Sequence, residues 1–183
     1  MLKFIAAVAV AALSMSPLGA AAQAPPAYGT PITLEAAKKA LAAAEAEAKK
    51  NNWGMVIAVV DSGSRLVAFS RMDNAQLGSI DIAMGKAQTA NNLRRPTKAL
   101  QDLIGQGGAN LRMLAAPGVT PLEGGVPIVA DGKIIGAIGV SAKVPNAFSD
   151  KHLALMQTFA DQAVIAIENA RLFKELELRN RDL

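Results

Sequence analysis

The stretch that most constrains this chain is Gly124–Ser141, two apolar runs joined by Asp131-Gly132. Val126, Ile128 and Ala130 alternate with Pro127 and Val129, and Ile134, Ile135, Ala137, Ile138 and Val140 follow the turn. Asp-Gly suits a two-residue hairpin, because a type I′ turn needs φ > 0 at both central positions. Gly136 and Gly139 interrupt the returning strand. A glycine there removes a side chain and marks a close approach, either of a packed helix or of a ligand. A chain built round this hairpin needs a sheet and elements to cover it.

The rest of the sequence supplies them. Thr33 is placed to cap a helix running to Lys50, rich in Ala, Glu and Lys, with Leu34, Ala37, Leu41, Ala44 and Ala48 near helical spacing. Met55–Val60 and Arg65–Ser70 read as strands about the turn Asp61-Ser62-Gly63-Ser64. A helix follows over Ser79–Asn92, stopped by Pro96, and Thr97 is the natural cap of a second one reaching Ile104. Ala109–Ala115 reads as a further helical turn or two. From Ser149 onward the pattern is one long amphipathic helix of about 34 residues, roughly 51 Å long. That exceeds a small domain, so its end projects or pairs with another chain.

Residues 1–22 have the layout of a secretory signal peptide. Lys3 precedes an apolar run, Phe4–Leu13, and Ala20-Ala21-Ala22 is a small-residue cleavage site. The run is too short for a spanning helix, so no membrane span is expected after cleavage. The expected location is the periplasm or outside the cell. Residues 23–32 are a Pro/Ala/Gly linker, expected to be extended or disordered. The chain has no cysteine and one histidine, which leaves no disulfide brace and no Cys/His zinc site. Its formal charge of +4 is mild and scattered, and implies no nucleic-acid partner. One histidine also leaves Ser62, Ser64 and Ser79 without a base for a hydrolytic triad.

Residues 33–144 resemble the GlcG/HbpS family of haem-binding or haem-degrading domains, related to the C-terminal domain of PduO-type proteins. The resemblance rests on Leu34-Glu35-Ala36-Ala37, Val59-Val60-Asp61-x-Gly63, Arg71-Met72-Asp73 and Lys86-Ala87-x-Thr89-Ala90. It continues through Gly124-Gly125-Val126-Pro127-Ile128 and Ile135-Gly136-Ala137-Ile138-Gly139-Val140-Ser141. It implies an α/β (α+β) fold: one domain, a central antiparallel sheet flanked by helices in a profilin- or PAS-like layout, often assembled into homo-oligomers. The helix–hairpin–helices–hairpin–helix order reached from periodicity agrees with that plan. Residues 145–183 are instead similar to the final helix of bacterial GAF domains, through Gln157-Thr158-Phe159-Ala160-Asp161-Gln162 and Ala166-Ile167-Glu168-Asn169-Ala170-Arg171.

The resemblance implies haem as cofactor, with Arg71, Lys86, Thr89, Gly124 and Gly125 as binding residues, for haem capture, sensing or slow degradation. Lys86 and Thr89 are three apart and share a helix face; with Arg71 and Arg94 they offer cations and a hydroxyl to carboxylates. Iron ligation has fewer candidates: His152 on the long helix, Met72, Met84 and Met113, or Tyr28 in the linker. The competing reading is a non-enzymatic module that binds a small acidic metabolite or assembles subunits through its long helix. Whether the chain is an enzyme is left open by the residues alone.

Overall fold

The structure, a computed structural model, describes residues 24–142 and 150–181. The expected leader, residues 1–22, and Ser149, the expected cap of the long helix, lie outside them. The opening hairpin forms as expected: β4 (Gly125–Ala130) and β5 (Lys133–Ala142) pair antiparallel. Asp131 and Gly132 turn between them with φ of 49° and 70°, both positive as a type I′ turn requires.

β5 is the axis of the sheet. β4 takes one of its edges, and β2 (Met55–Asp61) lines the other from Gly136 to Ala142. β1 (Ala27–Tyr28) pairs in parallel with Lys133 and Ile134, where β4 already fills one edge, so it continues the edge that β2 occupies farther along. β3 (Leu66–Arg71) closes the far side against β2. The segment expected as linker therefore carries a strand of the sheet.

β2 is buried on both faces. Met55, Ile57 and Val59 join one apolar cluster, and Val56, Ala58 and Val60 the other, as the alternation of strand side chains dictates. The first face is covered by α1 (Leu34–Lys50) and the start of α4 (Asp150–Arg181), through Ala36, Ala40, Ala44, Phe159, Ala160 and Ala163. Thr33 caps α1, its hydroxyl accepting the Ala36 N–H at 3.3 Å. The second face is covered by α2 (Ser79–Asn92), through Ala83, Ala87 and Ala90. α3 (Thr97–Gly105) and a 3₁₀ helix (Gly108–Ala115) follow at that side.

One local expectation changes. Pro96, not Thr97, is the N-cap of α3, and no side chain caps it. The Thr97 hydroxyl turns to β4, accepting the Gly125 N–H at 2.8 Å and lying 3.4 Å from the Gly125 carbonyl. A buried backbone group on the sheet competes for that hydroxyl and wins over local capping.

Candidate functional site

Three of the five residues expected to bind a ligand, Lys86, Gly124 and Gly125, meet where α2 crosses β4 and β5, and a fourth, Thr89, lies one turn along α2. Glycine makes the crossing possible. A Cβ on Gly139 would strike the Ala83 carbonyl and sit 2.6 Å from the Ala87 nitrogen. One on Gly125 would strike the Lys86 carbonyl and lie 2.8 Å from Thr97 Cγ2. These glycines admit α2, not the C-terminal helix. Gly124, at φ 115°, faces the Lys86 side chain, and its carbonyl accepts the Val140 N–H at 2.8 Å.

Lys86 is only 5% exposed, and its Nζ donates to the Val140 carbonyl at 3.1 Å. Burial pushes its pKa down from 10.5 to about 8, against the opposing charge of Glu123. Glu123 is also buried, and its Oε1 has no hydrogen-bond partner among the described residues; its backbone N–H is held by Gln101 Oε1 at 2.8 Å. Thr89 accepts the Thr120 N–H at 2.8 Å and so fixes the loop before β4. Lys86, Thr89, Gly124 and Gly125 thus tie helix to sheet. Arg71 stands apart, exposed on edge strand β3 opposite Val56. It shares the α2 face, yet strand β2 separates it from β5.

A second feature lies at the C-terminal end of α2. The helix ends in a Schellman motif: Arg95 N–H reaches the Ala90 carbonyl and Arg94 N–H the Asn91 carbonyl, each at 3.2 Å. The position after the cap, normally glycine, is Arg94, in the left-handed region at φ 53°. Holding a side chain there costs about 1–2 kcal/mol. The Tyr28 hydroxyl reaches the Asn91 and Asn92 carbonyls at 3.0 and 3.2 Å, the first of them already accepting the Arg94 N–H. That contact docks the N-terminal segment beside α2, and Arg94 lies over the Tyr28 ring at 5.8 Å. Ala24, Pro25, Pro26, Arg94, Arg95 and Ala99 then enclose an open groove of about 530 Å³.

The groove has apolar walls and two guanidinium groups, the chemistry that receives a flat apolar body with a carboxylate edge. Arg94 was a candidate from the sequence, whereas Arg95 and residues 24–26 were not. The signal was local: two adjacent arginines directly before the helix-stopping Pro96. The haem fit is therefore partial. Among the described residues, the groove lining supplies cations and apolar contact but no His, Cys, Met or Tyr. Met72 and Met84 pack against the two cores, the Tyr28 hydroxyl is committed to α2, and the His152 side chain lies outside the described residues. Among the described residues no group of three His, Cys, Asp or Glu side chains could hold a metal ion.

A family model described as haem degrading protein HbpS-like matches residues 32–156. Protein GlcG of Escherichia coli (strain K12) is 44% identical over 110 residues, covering 60% of this chain and 81% of that protein. The crystal structure of a double mutant of Streptomyces reticuli HbpS is 28% identical, with a TM-score of 0.61 over 90% of this chain and 98% of that one. A crystal structure of a PduOC–haem complex is 24% identical, with a TM-score of 0.60 over 75% of this chain and 95% of that one, a likeness of fold.

Proposed function

The chain belongs to the family of HbpS-like haem-degrading proteins, and from that premise we propose that it is an exported haem-binding protein. The groove at the end of α2 takes the porphyrin, with Arg94 and Arg95 on its propionates and Pro25, Pro26 and Ala99 against its apolar faces. The observation that carries this reading is Arg94 at a backbone position that favours glycine. Strain of this kind persists where the surroundings use the residue. Lys86 and Thr89 act one layer behind, fixing α2 and the loop before β4. Capture or sensing needs only this binding; haem itself would supply any redox chemistry at iron, and these side chains carry no step there. Export to the periplasm or beyond is part of the proposal and rests on the leader-like layout of residues 1–22.

One observation favours a second reading. A groove with two cations and, among the described residues, no iron ligand in its lining also suits a small organic acid. Titrating the mature protein with hemin, followed in the Soret band, separates the two. A saturable shift at micromolar protein is expected, and a flat titration overturns the haem reading. Thermal shifts against a panel of small organic acids, with no response to hemin, would install the alternative.

A further inference from the structure

α4 leaves the domain partway along its length. Phe159, Ala160 and Ala163 are buried and Val164 and Ile167 pack against the core, but every described side chain from Glu168 onward is exposed. About four turns of helix therefore stand without tertiary support. An isolated helix of that length is marginal in water. The exposed part is also not uniformly polar. Ile165, Leu172 and Leu176 are 47%, 53% and 55% exposed, and with Asn169 they recur at alternating steps of four, three and four. That is the spacing of a coiled-coil seam: Ile165 and Leu172 at d, Asn169 and Leu176 at a. At 100° per residue the stripe lies about half a turn round the helix from the domain-facing residues. A partner on the stripe would not touch the domain contact.

We propose that a second copy of this chain covers this stripe, forming a short parallel two-stranded coiled coil. Charge selects both the occupant and its direction. The flanking g positions are Glu168 and Glu175, and the e positions are Phe173 and Asn180. In an antiparallel pair g faces g′, setting glutamates against each other across the seam. In a parallel pair g faces e′, so each glutamate meets Phe173 or Asn180 and no glutamates oppose; the apolar seam ends before Arg179, the next d position. Asn169 at an a position fits the same arrangement, since a single buried Asn there fixes register in parallel dimers. Arg171, which pairs with Glu175 within its own helix at 3.3 Å, lies outside the seam. This inference is independent of the haem reading.

The chain has no cysteine, so a single introduced thiol reports the geometry directly. In the full chain, Leu172→Cys places two thiols across the seam and should give a disulfide-linked dimer on mild oxidation. Glu177→Cys, one position past the seam on the outer surface, should remain largely uncrosslinked. Light scattering of the Leu172→Asp, Leu176→Asp double variant should show half the mass of the unaltered chain. Both leucines are exposed in the single chain, so the fold does not depend on them. The proposal fails if Leu172→Cys crosslinks no more than Glu177→Cys, or if the aspartates leave the mass unchanged.

Discussion

The two faces of the sheet achieve close helix packing by different means. On the α1 face the small residues are on the helix: Ala36, Ala40, Ala44 and Ala48 meet bulky Ile57, Ile138 and Val140. On the α2 face both sides are small: the helix presents Ala83, Ala87 and Ala90, and Gly125 and Gly139 of the sheet expose bare backbone to it. The first arrangement leaves an apolar layer. The second brings polar groups inside: Ser79, Lys86, Thr89, Asn91, Thr97, Glu123 and Ser141 are all buried, and each lies on α2 or on a segment packed around it. An apolar layer stabilises without regard to direction, whereas buried polar groups demand partners.

Four substitutions probe that contrast, beginning with the largest expected effect. Gly139→Ala drives a methyl into the backbone of α2, which has no flexible end to yield. It should cost at least about 3 kcal/mol in denaturant unfolding; a loss under 1 kcal/mol would mean α2 can retreat and the close approach is incidental. Lys86→Met tests the buried charge. The Lys86 pKa is about 8 in the fold and 10.5 as the ordinary value, so above pH 8 the unfolded chain holds the proton more tightly. Stability should therefore rise from pH 8 to 10.5, by on the order of 3 kcal/mol from this group. The methionine variant should lose that rise, and an unchanged slope would assign it elsewhere.

Ala44→Gly is the mirror image of the first change. It loosens α1 without a collision and should cost about 1–2 kcal/mol through helix propensity and the lost methyl. A loss as large as that of Gly139→Ala would erase the distinction between the faces. Arg94→Gly should be the mildest in stability. Relief of the left-handed strain roughly offsets the lost contact with Tyr28, leaving a change within about 1 kcal/mol. A loss of several kcal/mol would show that Arg94 braces the fold.

Local signals announced most of the fold. Asp131-Gly132 specified the hairpin through its φ requirement, and the apolar spacing from Ser79 to Asn92 marked α2 to its observed ends. What escaped depends on contacts distant in sequence. Thr97 carries the chemistry of a cap, yet a buried N–H on β4 claims its hydroxyl. Tyr28 lies in a stretch of Pro, Ala and Gly, and its place comes from pairing with β5 and from the carbonyls at the end of α2. Of the residues expected at a site, Lys86 meets Gly124 and Gly125, and Thr89 holds the loop before β4. Their roles there are helix–sheet joints, and the groove that faces solvent is formed by Arg94 and Arg95 with a segment that sequence alone left unattached.

The central claim is that the end of α2 is the binding end of the molecule. Comparing hemin affinity of the mature protein with that of the Arg94→Gly, Arg95→Ala double variant tests it most directly. Removing two guanidinium contacts to carboxylates should weaken binding about tenfold or more, at about 1 kcal/mol for each exposed pair, while unfolding stability stays close to that of the unaltered chain. Equal affinities for hemin in the two proteins would contradict it.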